Sequence, residues 1–74
     1  MQTVEGECVR WSDDDGWGVL RSDAVGSEVF AHFAELVGEG YRSLRPGDRV
    51  RFDVEPYPSG QDGYVFRAHD VRLI

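Results

Sequence analysis

A chain of 74 residues has room for one domain with a single small core; 41% hydrophobic against 30% charged residues is globular composition and excludes a disordered tail. Fourteen acidic residues against eight basic ones set the net charge at -6, which excludes a binder held mainly by neutralising phosphates. The single cysteine, Cys8, excludes an internal disulfide framework and a cysteine zinc site, and fits a reducing compartment. No basic start leads into an apolar run and no stretch approaches spanning length, so a cytoplasmic protein without a membrane partner is expected.

Val4 to Trp11 reads as a first strand, closed by the turn Ser12-Asp13-Asp14-Asp15-Gly16, whose short polar residues and glycine suit a hairpin. Trp17 to Arg21 is the second strand and Glu28 to Phe33 the third, with residues 22 to 27 as the loop between them. Side chains alternate at period two, so Trp17 and Val19 share one face, and Phe30 and His32 share the matching face of the neighbour. Val29 and Ala31, small and apolar, are then the inward pair. Residues 34 to 47 form a long connection too broken by Gly38, Gly40, Pro46 and Gly47 for a full helix. Arg49 to Glu55 is the fourth strand, with Val50, Phe52 and Val54 facing the core, and Pro56 to Gly63 is a flexible loop. Tyr64 to Leu73 is the last strand, with an irregularity near Ala68 to Asp70 where the alternation changes phase. Phe66 reads as buried, Tyr64 is open to either role, and His69 reads as structural or merely exposed. Five short strands without a long helix predict an all-β fold, a small five-stranded antiparallel barrel of the OB type, as one domain over residues 1–74.

Flat rings on one outward face of neighbouring strands make a platform on which unpaired bases stack. All eight basic residues are arginine, which both stacks on bases and grips phosphate with two donors, so binding is expected to lean on rings more than on charge. There is no phosphate-binding glycine loop, no Ser, Cys or His triad, and no second ligand at metal spacing near His32. A non-enzyme without catalytic residues, metal or cofactor is expected.

The motifs resemble those of the cold-shock domain. That family's first ribonucleoprotein motif, K-G-F-G-F-I/V, is matched by Asp15-Gly16-Trp17-Gly18-Val19-Leu20, and its second, V-F-V-H-F/Y, by Val29-Phe30-Ala31-His32-Phe33. The interval of eight residues from Phe33 to Tyr41 and the turn Gly47-Asp48-Arg49-Val50-Arg51-Phe52 also fit, and the resemblance runs from about Gly6 to Leu73. It implies single-stranded RNA and DNA as partners, often with RNA chaperone activity. It implies binding roles for Trp17, Phe30, His32, Phe33 and Tyr41, which keep family positions. Arg10 stands at the family's surface tryptophan, Trp11 at the following phenylalanine, and Val19 at the first motif's second phenylalanine. Val9 and Asp15 stand where the family has lysines. Arg10 is expected to stack its guanidinium on a base, with Arg51 among the arginines near the backbone. Alternation leaves open whether Trp11 is a displaced stacking ring or packs at the barrel edge. Two other readings stay in view. One is a protein-interaction module whose acidic face, centred on Asp13 to Asp15, docks on a basic partner. The other is a sugar binder, for which Gln2 and Gln61 are the only side-chain amides. A monomer is expected, with exchange of the last two strands across the 34–47 connection as the alternative.

Overall fold

The structure, a computed structural model, describes residues 1–38, 43–61 and 63–74. Among these, the chain runs β1 (Gln2–Ser12), β2 (Trp17–Arg21), β3 (Val29–His32), a one-turn 3-10 helix η1 (Phe33–Glu35), β4 (Arg49–Gln61) and β5 (Tyr64–Leu73). The strands close into a barrel in the order β1-β2-β3-β5-β4. The pairings are antiparallel apart from the β3–β5 seam, which is parallel through Phe30 and Arg67.

β1 serves two neighbours. Its first half pairs with β4 from Gln2↔Val54 to Glu7↔Arg49, and its second with β2 from Glu7↔Arg21 to Ser12↔Trp17. At the bend, a Cβ on Gly6 would lie 1.9 Å from the Arg21 carbonyl oxygen, so only glycine lets the strands approach this closely. A bulge between Cys8 and Arg10 then shifts the alternation. Cys8 faces the core before it, and Trp11 packs against the core after it.

The inward faces are those the alternation predicts. Val50, Phe52 and Val54 of β4 meet Val4, Cys8, Leu20, Val29, Ala31, Ala68 and Val71, while Leu36 and Leu44 close the cluster from the connection. Phe52 is 1% exposed, and burying such a side chain is worth about 1.5–3 kcal/mol. The Cys8 thiol lies in this core and donates to the Arg10 carbonyl at 3.4 Å. Burial, then the charge of Asp48, pushes its pKa up to about 11.

Besides shifts of one or two residues at both ends of β1 and at the start of β3, two boundaries differ from expectation. Phe33 does not extend β3 but opens η1, because His32 caps that turn by accepting the Ala34 N–H on Nδ1 at 3.2 Å. β4 runs on to Gln61, where a flexible loop from Pro56 was expected. Cross-strand partners at Pro56↔Phe66 and Gln61↔Tyr64 hold the extension, and its register shift lies where the prolines interrupt the ladder. The irregularity expected in the last strand is present. The β4–β5 register shifts between Arg51 and Asp53, and Asp70 takes φ 51°. No helix among the described residues is long and apolar enough to cross a membrane.

Candidate nucleic-acid interface

The register of β1, β2 and β3 assembles the outward face. Ser12↔Trp17 and Trp17↔His32 form one row, and Arg10↔Val19 and Val19↔Phe30 the next. Trp17 is therefore a diagonal neighbour of Phe30, within reach of a large ring. Its indole stacks on the Phe30 ring with centroids 5.0 Å apart and planes 29° apart. Trp17 is partly exposed and His32 exposed. Phe33 is 40% exposed, and its ring lies 4.6 Å from that of His32.

Two of the expected open side chains are covered. Phe30 is 3% exposed and Val19 0%, although both point to the Trp17 side rather than into the core cluster. Trp17 lies over Phe30, and Val19 sits between Arg10 and Phe30 in the register. They form an apolar floor beneath the platform, so direct stacking of a base on either is not what this arrangement offers. Trp11 sits apart from the Trp17–Phe30 stack and lines a cleft with Arg10 and Trp17. Its ring rests where a Cβ of Gly18 would be, 2.4 Å from Trp11 Cε3, and it packs against the core with a buried indole N–H. The packing at the barrel edge is the alternative that holds. Tyr41 lies outside the described residues.

Tyr64, Arg67 and Tyr57, which the motifs did not single out, join the face beside Arg10, which they did. Tyr64, at the start of β5, stands edge-on to Trp17 with centroids 6.1 Å apart. Arg10 is exposed, donates to the Tyr64 hydroxyl and holds its guanidinium 5.9 Å from that ring. Arg67, the cross-strand partner of Phe30, lies 4.4 Å over the ring of Tyr57 and donates to Glu55 at 2.8 Å. The flat groups thus continue from β2 and β3 across β5 to β4. Tyr57 was hidden in the stretch read as loop. Tyr64 and Arg67 show their place only once β5 lies beside β3.

Of the two arginines on this face among the described residues, Arg67 is paired with a carboxylate and Arg10 with a phenol. Arg51 lies on the β1–β4 seam, where Glu5 holds it at 2.9 Å, so it is not brought to the platform. The acidic turn adjoins the far end. Asp13, Asp14 and Asp15 line a cleft with Phe33 and Ser43, and the Phe33 N–H donates to the Gly16 carbonyl at 2.8 Å. Beyond Phe30, a cleft of about 200 Å³ is lined by Phe30, His32, Glu35, Arg67, Ala68 and His69. There His69 places Nε2 2.7 Å from Glu55 and Nδ1 3.2 Å from Glu35. The hydrogen bond to Glu55 raises the His69 pKa from its ordinary 6.5, and the same bond, then that from Arg67, lowers the Glu55 pKa. No group of His, Cys, Asp and Glu suited to a metal ion occurs among the described residues.

The sequence model of the "cold-shock" DNA-binding domain matches residues 4–72. The chain is 42% identical over 53 residues to the cold shock-like protein CspA of Shewanella violacea, covering 70% of this chain and 76% of that one. It is 33% identical over 69 residues to the cold shock-like protein CspD of Escherichia coli, covering 92% and 93%. Among solved structures, drosophila Unr CSD456 superposes with a TM-score of 0.73 at 20% identity, over 99% of this chain and 27% of that longer one. That last likeness is one of fold. With the family match spanning nearly all of its length, the chain belongs to the cold-shock domain family, which in general binds nucleic acids.

Proposed function

We propose that this chain is a passive binder of single-stranded RNA or DNA that works in the cytoplasm as a monomer of one domain. The observation that carries the reading is the half-exposed Trp17, held flat on Phe30 and flanked by Tyr64 and Arg10. A surface indole fixed in this way has its orientation settled before a base arrives, which lowers the entropy cost of stacking. Unpaired bases rest on Trp17 and on the His32–Phe33 pair, Arg10 reaches a phosphate or a base, and Phe30 and Val19 support from below. Each stacked base is worth about 1–3 kcal/mol, so two or three give a useful gross affinity before the strand is ordered. Because paired bases cannot reach the rings, binding draws RNA away from hairpins by mass action, which is chaperone activity without hydrolysis.

Titrating tryptophan fluorescence with short oligothymidine and oligouridine tests this. Trp11 lines a cleft beside Trp17, so Trp17→Ala is compared with the parent by the anisotropy of a labelled oligonucleotide, which needs neither tryptophan as reporter. Saturable quenching is expected for both polymers, and Trp17→Ala should weaken binding about tenfold or more, judged by the worth of one stack. A Trp17→Ala chain that binds as well as the parent would overturn the reading. The cleft that the aspartate turn forms with Phe33 favours one rival, docking of a basic protein partner. Such a partner, held by the turn, would scarcely respond to the loss of Trp17.

A further inference from the structure

His69 is absorbed by none of the motifs, yet its ring meets a carboxylate at each nitrogen beside the platform. It lies between two carboxylates on different elements, Glu55 of β4 and Glu35 of η1. An imidazole that donates from both nitrogens must be a cation; the neutral ring has one N–H and turns a lone pair to the other carboxylate. The surrounding charges are Glu55 and the cross-strand Asp53 from β4, Glu35 from η1, His32 from β3, and Arg67 and Asp70 on its own strand. Within the directly bonded set of Glu35, Glu55, Arg67 and His69, protonated His69 balances the two carboxylates together with Arg67. Neutral His69 leaves one negative charge beside Phe30.

The second link is mechanical. Glu35 is the last residue of η1 and Phe33 the first, and Glu35 also accepts the Asp70 N–H at 3.3 Å. Charged His69 therefore ties the turn that carries Phe33, and follows His32, to both β4 and β5. A polyanion arriving at the platform favours the cation, and the cation favours the polyanion. Both effects have the same sign.

We propose that His69 is a proton-linked positioning residue of the nucleic-acid face: single strands bind with uptake of a proton at His69, and binding weakens as the pH rises from about 6 to about 8. The proposal rests on the binding function inferred above. Linkage through one proton cannot exceed about tenfold per pH unit, and a total change of about three- to tenfold is expected over this range. The hold of Glu55, and less so of Glu35, keeps the ring charged further towards neutrality than a free histidine, against burial that works the other way.

The test is a fluorescence titration with an oligothymidine heptamer at several pH values, on the unaltered chain and on His69→Gln. The dissociation constant of the unaltered chain should rise with pH, while that of His69→Gln lies near the high-pH value and rises distinctly less, by whatever His32 on the platform contributes. Imidazole NMR on the unaltered chain gives a second readout that needs no variant to fold. The chain has two histidines, and the His69 resonance should titrate at higher pH with the heptamer bound than without. Saturable binding with equal pH dependence in both proteins, or an unmoved His69 midpoint, overturns the linkage alone. Absence of binding even at the lowest pH overturns the binding function and the linkage with it.

Discussion

Replacing Asp15 by lysine reverses a charge at the edge of the platform while leaving the turn that carries it intact. The turn is held by backbone: the Gly16 N–H donates to the Ser12 carbonyl at 2.9 Å and the Asp15 N–H to the Ser12 hydroxyl at 3.2 Å. The Asp15 side chain is not needed for either bond. Asp15 borders two clefts, one with Arg10, Trp11, Ser12, Trp17 and Gly18, the other with Phe33, so a strand crossing from Trp17 to Phe33 passes it. A phosphate roughly 6 Å from a unit charge in water feels about 0.7 kcal/mol, and reversing the sign doubles the difference to about 1.4 kcal/mol. Screening over a length of about 8 Å halves this at physiological salt. Asp15→Lys should therefore tighten oligothymidine binding by about three- to tenfold at roughly 50 mM salt, and less near physiological strength. The logarithmic salt slope should steepen by about 0.7, the value for one added phosphate contact on a single strand. Tryptophan fluorescence titrations across a salt series measure both. An unchanged affinity at low salt would refute a strand path beside this turn.

Gly6→Ala should unfold the barrel or lower its melting temperature sharply, because its Cβ would fall 1.9 Å from a backbone oxygen that cannot move without opening the β1–β2 ladder; circular dichroism melting reads this. Phe30→Ala should cost about 3–5 kcal/mol of stability as well as binding, since it removes the floor under Trp17. Trp17→Ala should lose binding with a smaller change in melting temperature, and the pair of urea denaturation curves separates the two roles. Cys8, buried in the core and with its thiol pKa pushed up to about 11, should react with a disulfide reagent at neutral pH only after denaturant is added. His69 contributes stability that is present below its ordinary 6.5 and lost as pH rises through its higher folded value. Glu55 contributes stability that is present above its ordinary 4.5 and lost as pH falls through its lower folded value, so the thermal midpoint should be highest between 4.5 and 6.5.

The inward face of the barrel was legible because it obeys a two-residue period: Val50, Phe52 and Val54 face in, as do Val29 and Ala31. Where the period breaks, the reading weakened for a physical reason. Strict alternation from Cys8 would turn Arg10 inward, but the bulge at Val9 shifts the phase, so Trp11 packs against the core at the barrel edge and Arg10 reaches the platform. Parity correctly placed Phe30 on the outward side, but parity carries no information on what covers an outward ring. That depended on Trp17 folding across its diagonal neighbour. The density of proline and glycine after Glu55 suggested a loop, and it concealed Tyr57 on a strand under the guanidinium of Arg67. The two carboxylates around His69 come from a helical turn and a distant strand, so no local spacing announces them.

The acidity of the whole molecule and the chemistry of its ring face are separate matters once the ion pairs are located. Arg21, Arg51 and Arg67 each hold a glutamate, respectively Glu7, Glu5 and Glu55, so these three cations and three anions cancel close to the surface. The aspartate turn is different. Its three carboxylates are exposed and line the cleft at the Phe33 end of the platform, whereas Arg10, on a tyrosine, lies at the Trp17 end. A phosphate chain lying across the rings therefore meets local attraction at Arg10 and repulsion along the aspartate turn, and the net charge of -6 supplies no long-range pull. Stacking is left to supply the affinity, so binding should change little with salt in the unaltered chain and depend steeply on the loss of a single ring.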